Sequence, residues 1–126
     1  MKSNDKRPVA NVAVGAITDS ATHAHQVKTP PAYLIAEVSA ITDPIAMKSY
    51  GAKVPATLAP FNGHYVVRGG KTESLEGDMP SRIVIIAFDS SEQAHAWYDS
   101  PAYAAIRPIR ERASEVRIFI VEGVAP

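Results

Sequence analysis

Two apolar runs in the C-terminal half break the alternation expected of a strand that is wet on one face. Ile83-Val-Ile-Ile86 and Ile118-Phe-Ile-Val121 carry apolar side chains at consecutive positions, and so present them to both faces of any sheet they join. They read as strands over 82–88 and 117–121. Residues 90–115 between them read as a broken helix. Ser90 and Gln93 have the spacing of a capping box, and Ser100-Pro101 offers a second cap followed by a proline at a first helical position. Ala102, Ile106, Ile109, Ala113 and Val116 then recur at helical spacing and predict a buried stripe.

The N-terminal half has the same strand–helix order. Tyr33-Leu-Ile-Ala-Glu-Val-Ser39 is rich in β-formers. Asp43-Pro44 starts a helix through Met47 and Tyr50, which Gly51 and Pro55 are expected to kink or split. After Asn62-Gly63 comes a second strand, His64-Tyr-Val-Val-Arg68. Gly69-Gly70 is expected to mark a bulge or bend there, and residues 71–76 to continue the strand. The order βαββαβ predicts an α+β, ferredoxin-like domain: an antiparallel four-stranded sheet with its helices on one face. The other face, equally apolar, is left bare. A second copy packed sheet to sheet is the simplest cover, so the expected assembly is a two-fold homodimer, with a ligand cleft between each sheet and its own helices.

Composition narrows this picture. The 126 residues suit one domain, read as an N-terminal arm over 1–30 and a folded domain over 31–126. Thirteen basic and thirteen acidic residues cancel and no long basic run occurs, which argues against a nucleic-acid partner. With no cysteine, disulfides, thiolate catalysis and zinc–thiolate sites drop out. No apolar run approaches the roughly 20 residues that span a bilayer, so no membrane partner is expected. Lys2, Lys6 and Arg7 ahead of a short apolar run over 9–17 outline a signal peptide that Asn11 and Asp19 weaken. A cytoplasmic protein with a polar arm is the plain expectation, and a periplasmic or exported one the alternative if residues 1–25 act as a signal. His23-Ala-His25 is a weak metal pair, and no zinc, calcium, P-loop or Rossmann spacing occurs. No metal and no cofactor is therefore the default, with a haem held by His64 or His95 left open.

Several motifs carry a family likeness. Pro31-Ala-Tyr33, Asp43-Pro44, Gly63-His-Tyr-Val-Val-Arg-Gly-Gly70, Leu75-Glu-Gly77, Ala96-Trp-Tyr-Asp-Ser-Pro-Ala-Tyr103 and Glu122-Gly-Val124 occur in an order that resembles the bacterial family called domain of unknown function 1330. The likeness covers residues 31–124. It implies the dimeric α/β-barrel superfamily, whose members include small monooxygenases, muconolactone isomerases and haem-binding dismutases, but implies no reaction for this chain. Met47 and Met79 stand where that family commonly has aromatic residues, and Asp99 where it commonly has Asn.

The candidate chemistry centres on the second strand and the second helical region. Arg68 has a planar fork suited to a carboxylate or enolate oxygen, or else pairs with a carboxylate such as Glu76. Gly69 and Gly70 beside it would let a ligand approach the backbone. His64 is a candidate general base, on the same face as Val66 and Arg68 if the strand is regular. Tyr103 is a candidate oxyanion donor, with Tyr50 and Tyr98 positioned to meet it, and each is equally readable as packing. Trp97 is either fold core or the wall of an apolar pocket. Ser100 beside Asp99 suggests a hydroxyl contact to ligand, although helix capping accounts for it. Tyr103, Arg107 and Arg110 share a helix stripe that is either an anion-binding edge or a solvated face with Arg107 paired to Glu111.

Two functions fit. One is a cleft for a small anionic or enolisable organic molecule, operated as a cofactor-free isomerase or monooxygenase-like enzyme. The other is a non-enzymatic binding or assembly module in which the aromatic residues are core.

Overall fold

The computed structural model describes residues 28–126. The signal-like segment and the His23/His25 pair lie outside the described residues. The elements are β1 (Ala32–Ile41), α1 (Pro44–Leu58) with a 3-10 turn (Ala59–Phe61), β2 (His64–Arg68), β3 (Arg82–Phe88), α2 (Ser91–Tyr98), α3 (Pro101–Ala113) and β4 (Ser114–Glu122). The strands form one antiparallel sheet in the order β2-β3-β1-β4. This is the ferredoxin-like α+β arrangement.

Local chemistry explains the helix starts. Asp43 Oδ1 accepts from Ala46 N at 3.0 Å, Ser90 Oγ from Gln93 N at 3.2 Å and Ser100 Oγ from Tyr103 N at 3.3 Å. Each satisfies a donor that the first turn leaves open. Pro44 and Pro101 follow their caps, where a missing N–H costs nothing.

The register explains the unbroken apolar runs. Residues directly opposite across strands share a face. Leu34 lies opposite Ile86 and Ile120, and Ala36 opposite Val84 and Ile118. These rows face the helices and join a core that includes Val54, Leu58, Phe88, Trp97 and Tyr103. The alternate rows face away. Across all four strands one such row reads Val67, Ile85, Ile35 and Phe119. It is flanked by Tyr33 with Val121, and by an ion pair between Glu37 and Arg117. Phe119 is 42% and Val121 46% exposed in the single chain.

Three expectations are corrected. First, α1 runs through Gly51 and Pro55 as one helix. Second, the bulge falls between Tyr65 and Val67 rather than at Gly69-Gly70, and β2 ends at Arg68. Third, the fully buried residues of α3 are Tyr103, Arg110 and Ala113; of the expected stripe Ala113 is buried and Ile106 packs against the core, whereas Ala102 is exposed and Val116 belongs to β4. Apolar spacing missed Tyr103 and Arg110 because both turn inward despite their polar tips.

Gly63 lies where the end of α1 meets the sheet. A Cβ there would stand 2.6 Å from Phe88 Cε1 and 2.9 Å from Leu58 Cδ2. Gly63→Ala is expected to lower stability in denaturant unfolding by about 1–3 kcal/mol, because both neighbours are core side chains with little room to yield. An unchanged unfolding midpoint would mean that Phe88 moves freely.

Candidate active site

The helix-facing side of the sheet does not close completely against α1 and α3. A cleft of about 510 Å³ remains, floored by Leu34, Ala36, Val84 and Ile118. Its polar lining is Lys48, Tyr50, Tyr65, Arg68, Arg82, Tyr103 and Arg110, with Trp97 Nε1–H turned into the core. Among the described residues, four cations line it and no Asp, Glu or His does. A chain of zero net charge thus concentrates positive charge in one apolar concavity. Among the described residues, none of these four cations is within salt-bridge distance of a carboxylate.

The innermost polar group is a relay. Arg110 Nε donates to the Tyr103 oxygen at 3.3 Å, and the hydroxyls of Tyr103 and Tyr50 lie 2.6 Å apart. Arginine only donates, so Tyr103 accepts from it. Tyr103 is fully buried, and the direction that also satisfies its own proton is donation to Tyr50. That direction leaves the half-buried Tyr50 with its proton free to point into the cleft. Burial pushes the Tyr50 phenol far above its ordinary pKa. Burial works against the Arg110 charge, but the surrounding phenols outweigh it and raise the arginine pKa. The relay is therefore a charged donor behind two neutral hydroxyls. It can donate to an oxyanion, but it cannot serve as a base.

A phenol held above its unfolded pKa favours folding while it stays protonated. The Tyr50 contribution is complete below its ordinary value of 10.0 and is lost as pH rises beyond it, because the unfolded chain ionises first. Tyr65, also raised mainly by burial, acts with the same sign. Stability measured by denaturant titration is expected to fall steadily above pH 10, and Tyr50→Phe to flatten part of that fall. A profile identical in the two proteins would contradict the buried position of this hydroxyl.

Arg68 owes its position to an irregularity of α1. Pro55 has no N–H, so the carbonyl of Gly51, four residues earlier, has no helical partner. Arg68 Nη2 donates to that carbonyl at 3.0 Å, and its guanidinium lies 4.3 Å from the centre of the Tyr65 ring. Arg82 is seated differently. A Cβ at Gly69 would come within 2.7 Å of Arg82 Nε, so the glycine clears space for this side chain and not for a ligand. Gly69 has φ +70, a conformation that favours glycine.

Of the sequence-predicted residues, Tyr50, Arg68, Trp97 and Tyr103 line the cleft, whereas His64, Gly69, Gly70, Tyr98 and Ser100 do not. The bulge separates His64 from Arg68. His64 pairs with Ala87 on the outward rows, while Arg68 pairs with Val84 on the cleft side. Ser100 is buried as a cap, its Oγ also donating to Trp97 O at 2.7 Å. Tyr98 lies under Arg107, which approaches Glu111 at 3.8 Å. Trp97 is 1% exposed and joins Phe88 and Tyr103 in the core. Met47 lines the cleft and Met79 does not. Lys48, Tyr65 and Arg82 escaped the sequence reading. Arg82 was hidden as the polar start of an apolar strand, and Tyr65 by the bulge that turns it inward. Among the described residues, no three His, Cys, Asp or Glu side chains converge to hold a metal, and no helix is long and apolar enough to cross a membrane.

Comparison with known proteins places this geometry in context. The family described as Domain of unknown function (DUF1330) matches residues 31–124. No curated protein matches the sequence. Among solved structures, a protein of unknown function from Rhodopseudomonas palustris is 16% identical with a TM-score of 0.60, the match covering 79% of this chain and 86% of that one. SnoaB, a cofactor-independent oxygenase from Streptomyces nogalater, is 11% identical with a TM-score of 0.55, covering 78% and 97%. A dimeric protein of unknown function and ferredoxin-like fold from Bacteroides fragilis is 14% identical with a TM-score of 0.54, covering 77% and 100%. At these identities the likeness shows the fold alone.

Proposed function

Because this chain belongs to the family described as Domain of unknown function (DUF1330), we propose a function from its own cleft: it binds a small enolisable or phenolic organic molecule as the oxyanion. The observation that carries this reading is an apolar cleft lined, among the described residues, by four cations and a terminal phenol donor, without one carboxylate or imidazole. Such a site favours the charged form of its ligand. An enol or phenol releases its proton to solvent, and the remaining oxygen accepts from Tyr50 O–H with Arg110 behind it. Isomerisation through an enolate, and oxygenation of an electron-rich anion by dioxygen without a cofactor, both begin from that species. Aligned donors aimed at a developing oxyanion are worth most in a water-poor site.

The test is a thermal-shift panel of small phenols, lactones and carboxylates on the wild type and on Tyr50→Phe. Stabilisation of several degrees by phenols or enolisable lactones, reduced in the variant, supports the reading. Equal stabilisation of both proteins by every hit would refute it.

The working unit is proposed to be a homodimer. The row Val67, Ile85, Ile35 and Phe119 supports this, since helices cover only the other face and the Bacteroides fragilis neighbour is described as dimeric. Sedimentation is expected to show a dimer that Phe119→Lys converts to monomer, because an ammonium within a dry sheet-to-sheet contact has no partner. A monomeric wild type would remove the dimer from the account and leave the cleft.

A further inference from the structure

The cleft's cations fall into two groups. Arg110 is buried with Tyr103 behind Tyr50, whereas Lys48, Arg68 and Arg82 are exposed. Apolar floor from Ala36, Val84 and Ile118 accompanies both groups. Exposed arginines are ordinarily mobile, but Arg68 is held. Arg68 is fixed by the Gly51 carbonyl and the Tyr65 ring, and Arg82 lies against Gly69. Neither is within salt-bridge distance of a carboxylate among the described residues. One pre-positioned guanidinium, a second beside Gly69 and an ammonium at the rim suit a planar anion. They differ in exposure from the buried Arg110 and Tyr103 of the relay that takes the enol or phenol oxygen.

We propose that the ligand has two poles: an aromatic or conjugated carboxylic acid that also bears an enol or phenol hydroxyl. The carboxylate lies at the rim with Arg68, Arg82 and Lys48, the flat apolar body on the sheet, and the second oxygen at Tyr50. The volume of about 510 Å³ holds a ring with a short side chain and falls within the roughly 300–1,000 Å³ of small-molecule sites. Tyr65 contributes a wall of the cleft beneath the Arg68 guanidinium. This inference rests on the oxyanion reading above and adds the second charge and its place.

Calorimetric titration separates the two claims. The probes are para-hydroxybenzoate and para-hydroxycinnamate, which hold their oxygen poles at two separations, with phenol and benzoate as single-pole controls. The better of the two hydroxy acids is expected to bind at least about tenfold more tightly than either control. Arg82→Gln, at an exposed position, is expected to remove most of that advantage while phenol binding persists, and Lys48→Gln to remove a smaller part. Hydroxy acids that bind no better than phenol would overturn the two-pole inference and leave the oxyanion reading standing. A hydroxy-acid advantage that survives both substitutions would overturn the assignment of the carboxylate to the rim. No binding by phenol or by either hydroxy acid would overturn both claims.

Discussion

Trp97→Ala is expected to lower stability by about 3–5 kcal/mol, the largest effect of any single substitution considered for this chain. The indole is 1% exposed, with its ring centre 4.1 Å from that of Tyr103 and 5.8 Å from that of Phe88. Its Nε1 donates to Thr57 Oγ1 at 2.9 Å, which ties α2 to the end of α1. Truncation removes the apolar contact and leaves a void that three elements cannot close together. Thr57 itself stays satisfied, because its hydroxyl donates to Val54 O at 2.6 Å. The cost therefore comes from packing and cavity, and Trp97→Phe should recover much of it. Denaturant unfolding of the two variants checks this. A loss below about 1 kcal/mol for the alanine variant would mean that the core around the indole collapses readily.

Tyr50→Phe is expected to weaken binding of a phenolate or enolate by about ten- to a hundredfold. A hydrogen bond to a charged acceptor contributes about 1.5–3 kcal/mol, and this one faces a water-poor cleft. The substitution also removes the acceptor of the Tyr103 proton, which is buried 2.6 Å from the missing oxygen. Some stability is lost for that second reason, and unfolding must be measured beside affinity. The discriminating result is a loss of affinity for oxyanions larger than any loss for an uncharged ring of the same size. Equal losses for both would reduce Tyr50 to a packing residue.

Much of the architecture was legible from residues that act locally. Asp43, Ser90 and Ser100 announce helix starts because a short oxygen side chain satisfies an open backbone donor one turn on. Ile83 to Ile86 and Ile118 to Val121 announce a sheet buried, or awaiting burial, on both faces. What escaped depends on contacts between distant segments. Pro55 reads as a breaker, yet the carbonyl it strands at Gly51 is taken by Arg68 from another element. A regular β2 would set His64 and Arg68 side by side, and one bulged residue puts them on opposite faces. No local pattern announces that bulge.

The candidate site was legible in part for the same reason. Tyr50, Arg68, Trp97 and Tyr103 stood out as residue types with chemistry. Arg110 appeared only as one member of a helix stripe, and its separation from Arg107 is a consequence of packing. Tyr103 and Arg110 turn into the cleft, while Arg107 stays with Tyr98 and Glu111. Arg82 and Lys48 look like ordinary surface charges until the fold brings them to one rim with Arg68. The absence of any acid from that lining is visible only once the lining is known.

The central claim is that the cleft binds its ligand as an anion, and an absorbance titration of a bound nitrophenol tests it most directly. Phenol and phenolate absorb at different wavelengths, so the ionisation of the bound probe is read without reference to turnover. Nearby cations and a phenol donor favour the charged form, which requires a pKa lowered by about one unit or more in the complex. The predicted result is a bound probe that ionises at lower pH than the free one, with Tyr50→Phe moving it back towards the free value. A bound probe whose pKa is unchanged or raised would contradict the account, because the cleft would then be selecting the neutral phenol.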